Sequence, residues 1–255
     1  APEDIDLIIV ATVSGDYTTP SVACLVQAAI GAKNALAFDI SAACSGFIFG
    51  LSVADKYIRA GIYKNALIIG SELLSKYLNF NDRSTCVLFG DGSGGAMVVR
   101  SDEPGLLCEA LGSDGERGLS LTCGHVPTSS PFNGLPRGTD PYVHMDGRVI
   151  FDFATRTVPK SVEEMLEKQG VGIEDIDLVV PHQANSRIVE IISRKLKIPM
   201  EKFYLNMHEY ANTSSASIPI ALNELVENGR ITPGMTVLFC GFGAGLTWGN
   251  MLIRM

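Results

Sequence analysis

Cys44 lies in FDISAACSGFIFGL, between a short apolar run and a stretch that carries no charge until Asp55. A cysteine at a strand-to-helix turn faces free backbone NH groups and the positive end of the helix dipole. These favour a thiolate and lower a free-cysteine pKa of about 8.5 by several units in favourable cases. The neighbours Ala42, Ala43, Ser45 and Gly46 are small enough to let a substrate reach the sulfur. The competing reading is a buried cysteine that acts only as a small hydrophobe. His182 follows Pro181 at the end of the apolar run DLVVP, at the carboxyl end of a predicted strand, where sheet enzymes place their chemistry. His125 and His144 lie instead in a polar, Gly/Pro-rich stretch, 112–147, and His208 follows the predicted strand KFYLNM. Asn212, in EYANTSSAS, occupies a predicted turn, where asparagine ordinarily bonds its own backbone. Brought to one end of a sheet, these three would be a nucleophile with two polar partners.

The sequence supplies the elements for this twice. EDIDL opens both EDIDLIIVATVS and EDIDLVVPHQAN, at Glu3 and Glu174, 171 residues apart. Each copy is a polar helix end followed by a nearly continuous apolar run, the pattern of a strand buried on both faces of a parallel sheet. After the first copy, Thr19-Pro20 offers an N-cap and first-turn proline to a helix ending near Gly31. ALAFDI then reads as a strand, and Cys44 to Ala60 as a helix stopped by Gly61. After the second come a helix over Ser186 to Leu196, the strand KFYLNM and a helix through SIPIALNELVENG. The offset carries Cys44 onto Ser215, so Asn212 stands in the turn that matches the cysteine's. ALIIGSEL and CVLFGDGSGGAMVV match TVLFCGFGAGLTWGNMLI, and FGDGSGG, which lacks GxxxxGK, reads as a tight turn between strands. The predicted fold is α/β, duplicated and layered, with halves at 1–110 and 149–255 joined by connecting loops over 111–148. A long amphipathic helix, Ile150 to Gly170, precedes the second copy and has no counterpart before the first. The expectation is a chain that lacks an upstream segment of at least a helix.

Composition narrows the function. With 255 residues, 46% hydrophobic, the chain can bury a large core. The uncharged stretch Ile40 to Ala54 is too short to cross a bilayer, and no basic-then-apolar signal segment opens the chain, so a soluble cytoplasmic protein is expected. A formal net charge of -8 argues against nucleic acid as the main partner. The six cysteines, at 24, 44, 86, 108, 123 and 240, form no CxxC or Cys/His cluster, which argues against a zinc site or a disulfide framework.

AACSGF at Cys44, PHQAN at His182, ANTSSASIP at Asn212 and GFGAGLTWG near the carboxyl end resemble beta-ketoacyl-[acyl-carrier-protein] synthase III, the initiating condensing enzyme of the thiolase superfamily. The resemblance runs through essentially the whole chain and implies a thiolase-like α-β-α-β-α fold with mixed, mostly parallel sheets. It implies that Cys44 takes an acyl group from a primer acyl-CoA. Malonyl-[acyl-carrier-protein] then loses carbon dioxide, and the resulting carbanion attacks the acyl-cysteine while His182 and Asn212 donate hydrogen bonds to the malonyl thioester. The backbone NH groups of Cys44 and of the turn Gly243-Ala244-Gly245 would be the oxyanion hole. Arg83 would pack on the CoA adenine, and Met145, Gly147, Phe151 and Asn185 would line the pantetheine tunnel. The acidic carrier protein would dock on Gln183, Ala184, Asn185, Ser186, Arg187, Arg194 and Lys195, with Lys197, around an apolar stripe of Ile188, Ile191 and Ile192. No metal and no cofactor is implied, CoA thioester being a substrate, and a homodimer is expected in which Thr19 reaches the partner's acyl pocket.

Two positions depart from the family pattern. Asp152 stands where a lysine is common, which reverses one docking charge. Thr19 stands where phenylalanine is frequent, which leaves volume for longer or branched primers. In the family the upstream segment supplies a strand and two CoA-gripping side chains, so a chain without it is expected to fold poorly and bind CoA weakly. The alternative readings are a related acyl-CoA-dependent condensing enzyme of secondary metabolism, and a catalytically silent acyl-binding paralogue.

Overall fold

The computed structural model describes residues 1–103, 105–126, 132 and 140–255. The first copy of the repeat forms β1 (Leu7–Ala11), α1 (Val22–Ile30), β2 (Leu36–Ile40), α2 (Gly46–Arg59) and β3 (Asn65–Glu72). β4 (Gly92–Val99) returns antiparallel to β3, and the first sheet has the order β2-β1-β3-β4, with β1 parallel to both neighbours. There follow β5 (Leu106–Ser113), the short pair β6 (Leu121–Thr122) and β7 (His144–Met145), and the long helix α3 (Gly147–Gln169). The second copy forms β8 (Leu178–Pro181), α4 (Ser186–Leu196), α5 (Met207–Tyr210), α6 (Ser217–Glu227), β9 (Thr236–Gly243) and β10 (Thr247–Arg254). The second sheet has the order β5-β10-β9-β8.

Strand periodicity builds the layers. In β1, Leu7 and Ile9 pack with Phe47, Ile48 and Leu51 of α2, whereas Ile8 and Val10 pack with Ala23 of α1. In β8, Leu178 and Val180 join the same core as α2 and Ile218 of α6, whereas Val179 packs with Ile188, Val189 and Ile192 of α4 and with Phe153 and Val158 of α3. The order is therefore α1, first sheet, α2 with α6, second sheet, α3 with α4. Because both strands are buried on both faces, neither shows alternation in the sequence. Among the described residues, no helix is long and apolar enough to cross a membrane.

The repeat is kept in three dimensions. β8, α6 and β9 begin where the 171-residue offset carries the starts of β1, α2 and β3. α2 and α6 are preceded by 3-10 turns, Ala43–Ser45 and Ser214–Ala216, and each turn opens on a residue in the left-handed region, Ala43 at φ 44° and Ser214 at φ 48°.

Several local expectations need correction. α1 starts after Thr19-Pro20: Ser21 is its cap, accepting from Cys24 N, and the Asp39 carboxylate takes the free NH groups of Val22 and Ala23 at 2.7 and 2.8 Å. KFYLNM is not a strand, since only Phe203 bridges Val179. The Gln183 side chain occupies backbone groups a ladder would use, donating to Tyr204 O and accepting from Asn206 N. The GSGG of FGDGSGG lies within β4 rather than in a turn. The glycines admit α6, whose Ile220 N would stand 2.9 Å from a Cβ at Gly94. β5 straddles the expected boundary at 110 and pairs along β10, so it belongs to the second sheet and the first half ends before it. Of the connecting stretch 111–148, residues 127–131 and 133–139 lie outside the described residues.

Candidate active site

Cys44 sits in the turn before α2, 6% exposed, facing the last residue of β9. A Cβ placed on Gly243 would stand 2.8 Å from Cys44 Cβ and 2.9 Å from Cys44 Sγ, so only glycine leaves the sulfur room. Thr247 ties the two segments together. Its Oγ1 lies 3.2 Å from Ala42 O, 3.0 Å from Ala244 O and 3.2 Å from Ser45 Oγ, which holds the Gly243-Ala244-Gly245 turn against the cysteine's own. The sequence predicts a lowered thiol pKa, and the structure reverses the sign. Burial pushes Cys44 up to about 12, a hydrogen bond from the Ser214 hydroxyl opposes this, and the nearby charge of Glu72 adds to it. α2 proper begins two residues later, at Gly46, and burial dominates at Cys44.

His182 continues β8 by donating its backbone NH to Cys240 O at 2.7 Å. Its ring is 1% exposed and meets Phe242 edge-on, 5.4 Å between centroids. Burial lowers its pKa to about 3, so the ring is neutral at physiological pH. Nδ1 is 2.7 Å from Ser217 Oγ, which also lies 2.8 Å from Ser214 O; its single hydrogen goes to Nδ1 when the ring carries its proton on Nε2, and to Ser214 O in the other tautomer. With Nδ1 held by Ser217, Nε2 is the nitrogen left for a substrate.

Asn212 is held at both backbone ends, its NH by Leu88 O at 3.0 Å and its carbonyl by Gly90 N at 2.9 Å. Its Oδ1 accepts from Ser214 N at 2.9 Å. That bond fixes which way the amide points and leaves the Nδ2 hydrogens for the site.

The three sequence-predicted residues thus converge on one turn. Ser214 lies close enough to Cys44 to act on its thiol, bonds Asn212 Oδ1 through its NH, and reaches His182 through Ser217. Sequence reasoning did not single out Ser214, Ser217, Thr247 or Glu72. Glu72 is 4% exposed at the end of β3, with burial raising its pKa against several hydrogen bonds. The available signal was a lone acid closing the apolar run of ALIIGSEL.

The outer residues fall less tightly together. Met145 and Gly147 line a cleft of about 770 Å³ with His144, Asp146 and Arg148 at the start of α3. Phe151 is half-buried and packs, like Met145, on the core of the second half. Arg83 is exposed, and its neighbour Asp82 lies within electrostatic reach of His144 at the cleft. Asn185 caps α4, accepting from Arg187 N at 2.9 Å. Thr19 is exposed. Asp152 is exposed and paired with Arg156 at 2.6 Å.

The expected carrier surface needs two corrections. Gln183 is 1% exposed, because its amide is drawn inward by Pro181 O, Tyr204 O and Asn206 N. Ile188 and Ile192 are buried in the second core and Ile191 is half-buried, so the apolar stripe holds α4 down rather than facing a partner. Ala184 is half-buried, whereas Ser186, Arg187, Arg194, Lys195 and Lys197 are exposed.

Residues 38–115 match the family described as 3-oxoacyl-[acyl-carrier-protein (ACP)] synthase III, and residues 166–255 match the C-terminal part of that family. The chain is 51% identical over 254 residues to the beta-ketoacyl-[acyl-carrier-protein] synthase III of Clostridium perfringens, an alignment that covers 99% of this chain and 78% of that protein. The crystal structure of 3-oxoacyl-[acyl-carrier-protein] synthase III from Aquifex aeolicus superposes with a TM-score of 0.91 at 45% identity, over 100% of this chain and 78% of that one. A priming beta-ketosynthase from a polyketide biosynthetic pathway superposes with a TM-score of 0.91 at 35% identity, over 100% of this chain and 76% of that one.

Proposed function

This chain belongs to the beta-ketoacyl-[acyl-carrier-protein] synthase III family, and from that premise we propose that it joins a primer acyl-CoA to malonyl-[acyl-carrier-protein] through an acyl-Cys44 intermediate. It is a thiolase-fold condensing enzyme, an acyltransferase of the step that initiates fatty acid synthesis. The observation that carries the residue assignment is the Asn212–Ser217 turn, which bonds Asn212 Oδ1 through Ser214 N and His182 Nδ1 through Ser217 Oγ, beside a Cys44 sulfur left room by Gly243.

In the first half-reaction, Cys44 Sγ attacks the carbonyl carbon of the acyl-CoA thioester. The thiol proton ends on the departing CoA sulfur, and the transient oxyanion takes hydrogen bonds from the backbone NH groups of Cys44 and the Gly243–Gly245 turn. In the second, the malonyl group loses carbon dioxide and the electrons of the broken carbon-carbon bond form an enolate. His182, in the tautomer that accepts the Ser217 hydroxyl hydrogen at Nδ1 and carries its own on Nε2, donates to the enolate oxygen together with Asn212 Nδ2–H, and the enolate carbon attacks the acyl carbon. The Cys44 sulfur departs and is reprotonated. Because decarboxylation generates the carbanion, no strong base is required, which suits an imidazole that burial keeps neutral. Each preorganised donor on developing charge is worth about 3 to 4 kcal/mol.

CoA would run from Arg83 past Met145, Gly147, Phe151 and Asn185 toward Cys44. The exposed Arg187, Arg194, Lys195 and Lys197 of the α4 region would meet the acidic carrier, while the Asp152–Arg156 pair mutes the one reversed charge. The enzyme would work in the cytoplasm as a homodimer, with Thr19 leaving room for longer or branched primers. Acylation rates across a series of acyl-CoAs test that room, and a sharp preference for acetyl-CoA contradicts it.

A second reading, priming a polyketide-type pathway, draws on the match to a priming beta-ketosynthase. Carrier dependence separates the two, because condensation with free malonyl-CoA at an equal rate favours the second. Intact mass after incubation with acetyl-CoA tests both against a silent paralogue, which would gain no adduct.

A further inference from the structure

The repeat pairs more than strands. Its 171-residue offset matches Cys44 with Ser215, Gly243 with Glu72 and His182 with Ala11. The places are equivalent in the fold: Ser215 lies in the turn before α6 as Cys44 lies in the turn before α2, and Glu72 ends β3 as Gly243 ends β9. The molecule therefore holds two equivalent turn positions related by internal symmetry, one occupied by a cysteine and the other by a serine.

They are finished in opposite ways. Beside Cys44 the facing residue has no side chain, and the sulfur has space. Beside Ser215 the facing residue is a glutamate, and the single Ser215 hydroxyl hydrogen is shared between Glu72 Oε1, 3.1 Å away, and Ala11 O, 2.8 Å away. Glu72 Oε2 accepts from Ser14 Oγ at 2.6 Å, Val13 N at 3.1 Å and Thr12 Oγ1 at 3.4 Å. Ser14 Oγ in turn accepts from Leu73 N at 2.7 Å. Among the ion pairs of the described residues, none includes Glu72. A carboxylate buried without a cation opposes stability unless its hydrogen bonds are complete, and such groups cluster at working sites.

We propose that Glu72 fills the space beside Ser215 that glycine leaves open beside Cys44, and serves the Cys44 site as a positioning residue. By holding Ser215 against the loop that leaves β1, it fixes the Asn212–Ser217 turn and so aims Asn212 and, through Ser217, His182. This inference rests on the condensation proposed above.

Replacing Glu72 with the isosteric amide should then have two effects of opposite sign. The titratable groups that feel Glu72 are Cys44, Tyr77 and Cys123, and the hydroxyls of Thr12, Ser14, Ser214 and Ser215 surround it. Its negative charge opposes a Cys44 thiolate, so removing the charge speeds alkylation of Cys44. The amide also presents donors where Val13 N and Ser14 already donate, which loosens the turn and slows condensation. A residue that only supported the fold would lower every rate together.

The test uses the full-length enzyme with Glu72→Gln and Ser215→Ala. Three quantities are followed: acyl-Cys44 formation from acetyl-CoA by intact mass, 3-oxoacyl-carrier formation, and the pH profile of Cys44 alkylation by iodoacetamide. Glu72→Gln should acylate at least as fast as wild type and alkylate at lower pH. Its condensation should fall about 100-fold, the cost of displacing catalytic groups by about an ångström. Ser215→Ala, which keeps the charge, should slow condensation and leave the alkylation profile in place. Wild-type condensation by Glu72→Gln, or a parallel fall in all three rates, overturns the inference. If Glu72→Gln does not fold, Ser215→Ala decides, and unchanged condensation in it overturns the inference. A wild type that gains no acyl adduct would instead sink the proposed function.

Discussion

Gly243 and Cys44 stand so close that a single methyl group on the glycine would lie 2.9 Å from the cysteine sulfur. Gly243→Ala should therefore block attack on the thioester while leaving the fold in place, since overpacking by one methyl costs about 1 to 3 kcal/mol. Acyl-enzyme formation followed by intact mass, beside a thermal melt, checks this. Normal acylation by the variant would show that the sulfur has another approach.

The two half-reactions should separate by residue. His182→Ala and Asn212→Ala should still form acyl-Cys44 but lose condensation by about 100- to 1000-fold each, the range seen when one preorganised donor is removed. Single-turnover acylation and product assays on the same preparations make the comparison. Loss of acylation in either variant would assign that side chain to the first step as well.

Stability should fall in acid through His182. Its folded pKa, about 3, lies below its ordinary value of 6.5, so the unfolded chain takes up a proton first. The stabilisation is complete above pH 6.5 and is lost as pH falls toward 3, at about 1.4 kcal/mol per unit. Denaturant midpoints at pH 7 and pH 5 should differ more for wild type than for His182→Gln, and equal differences would contradict the buried neutral ring.

Carrier docking should depend on the exposed face of α4. Arg187→Glu with Arg194→Glu should raise KM for malonyl-carrier by roughly 10-fold, about 1.4 kcal/mol, with weaker salt dependence and unchanged acylation by acyl-CoA. An unchanged KM would move the docking surface elsewhere.

Much of the architecture was legible because the chain repeats it. The registers of β1 with β8 and of α2 with α6 follow from the EDIDL offset, and α4 ends where its capping residues place it. Cys44, His182 and Asn212, the proposed site residues, were legible as residue types at a strand-to-helix turn, a strand end and a turn. Their partners were not: Glu72 meets Ser215 across the two halves, and Ser217 meets His182 from 35 residues away, which no local pattern records. The Cys44 pKa was misread because helix-start chemistry is local, whereas burial is set by β9 and the Asn212 turn. Gln183 looked like surface because PHQAN reads as a loop, yet its amide is claimed from within by the segment after Phe203. β5 was assigned to the wrong half because its partner, β10, lies at the other end of the chain.

The most direct measurement is the intact mass of wild type and Cys44→Ala after acetyl-CoA, followed by malonyl-carrier. One acetyl adduct on wild type alone, discharged as 3-oxoacyl-carrier when malonyl-carrier is added, is the predicted result. An adduct on both proteins, or an adduct on wild type that malonyl-carrier does not discharge, would contradict an acyl-Cys44 intermediate in condensation.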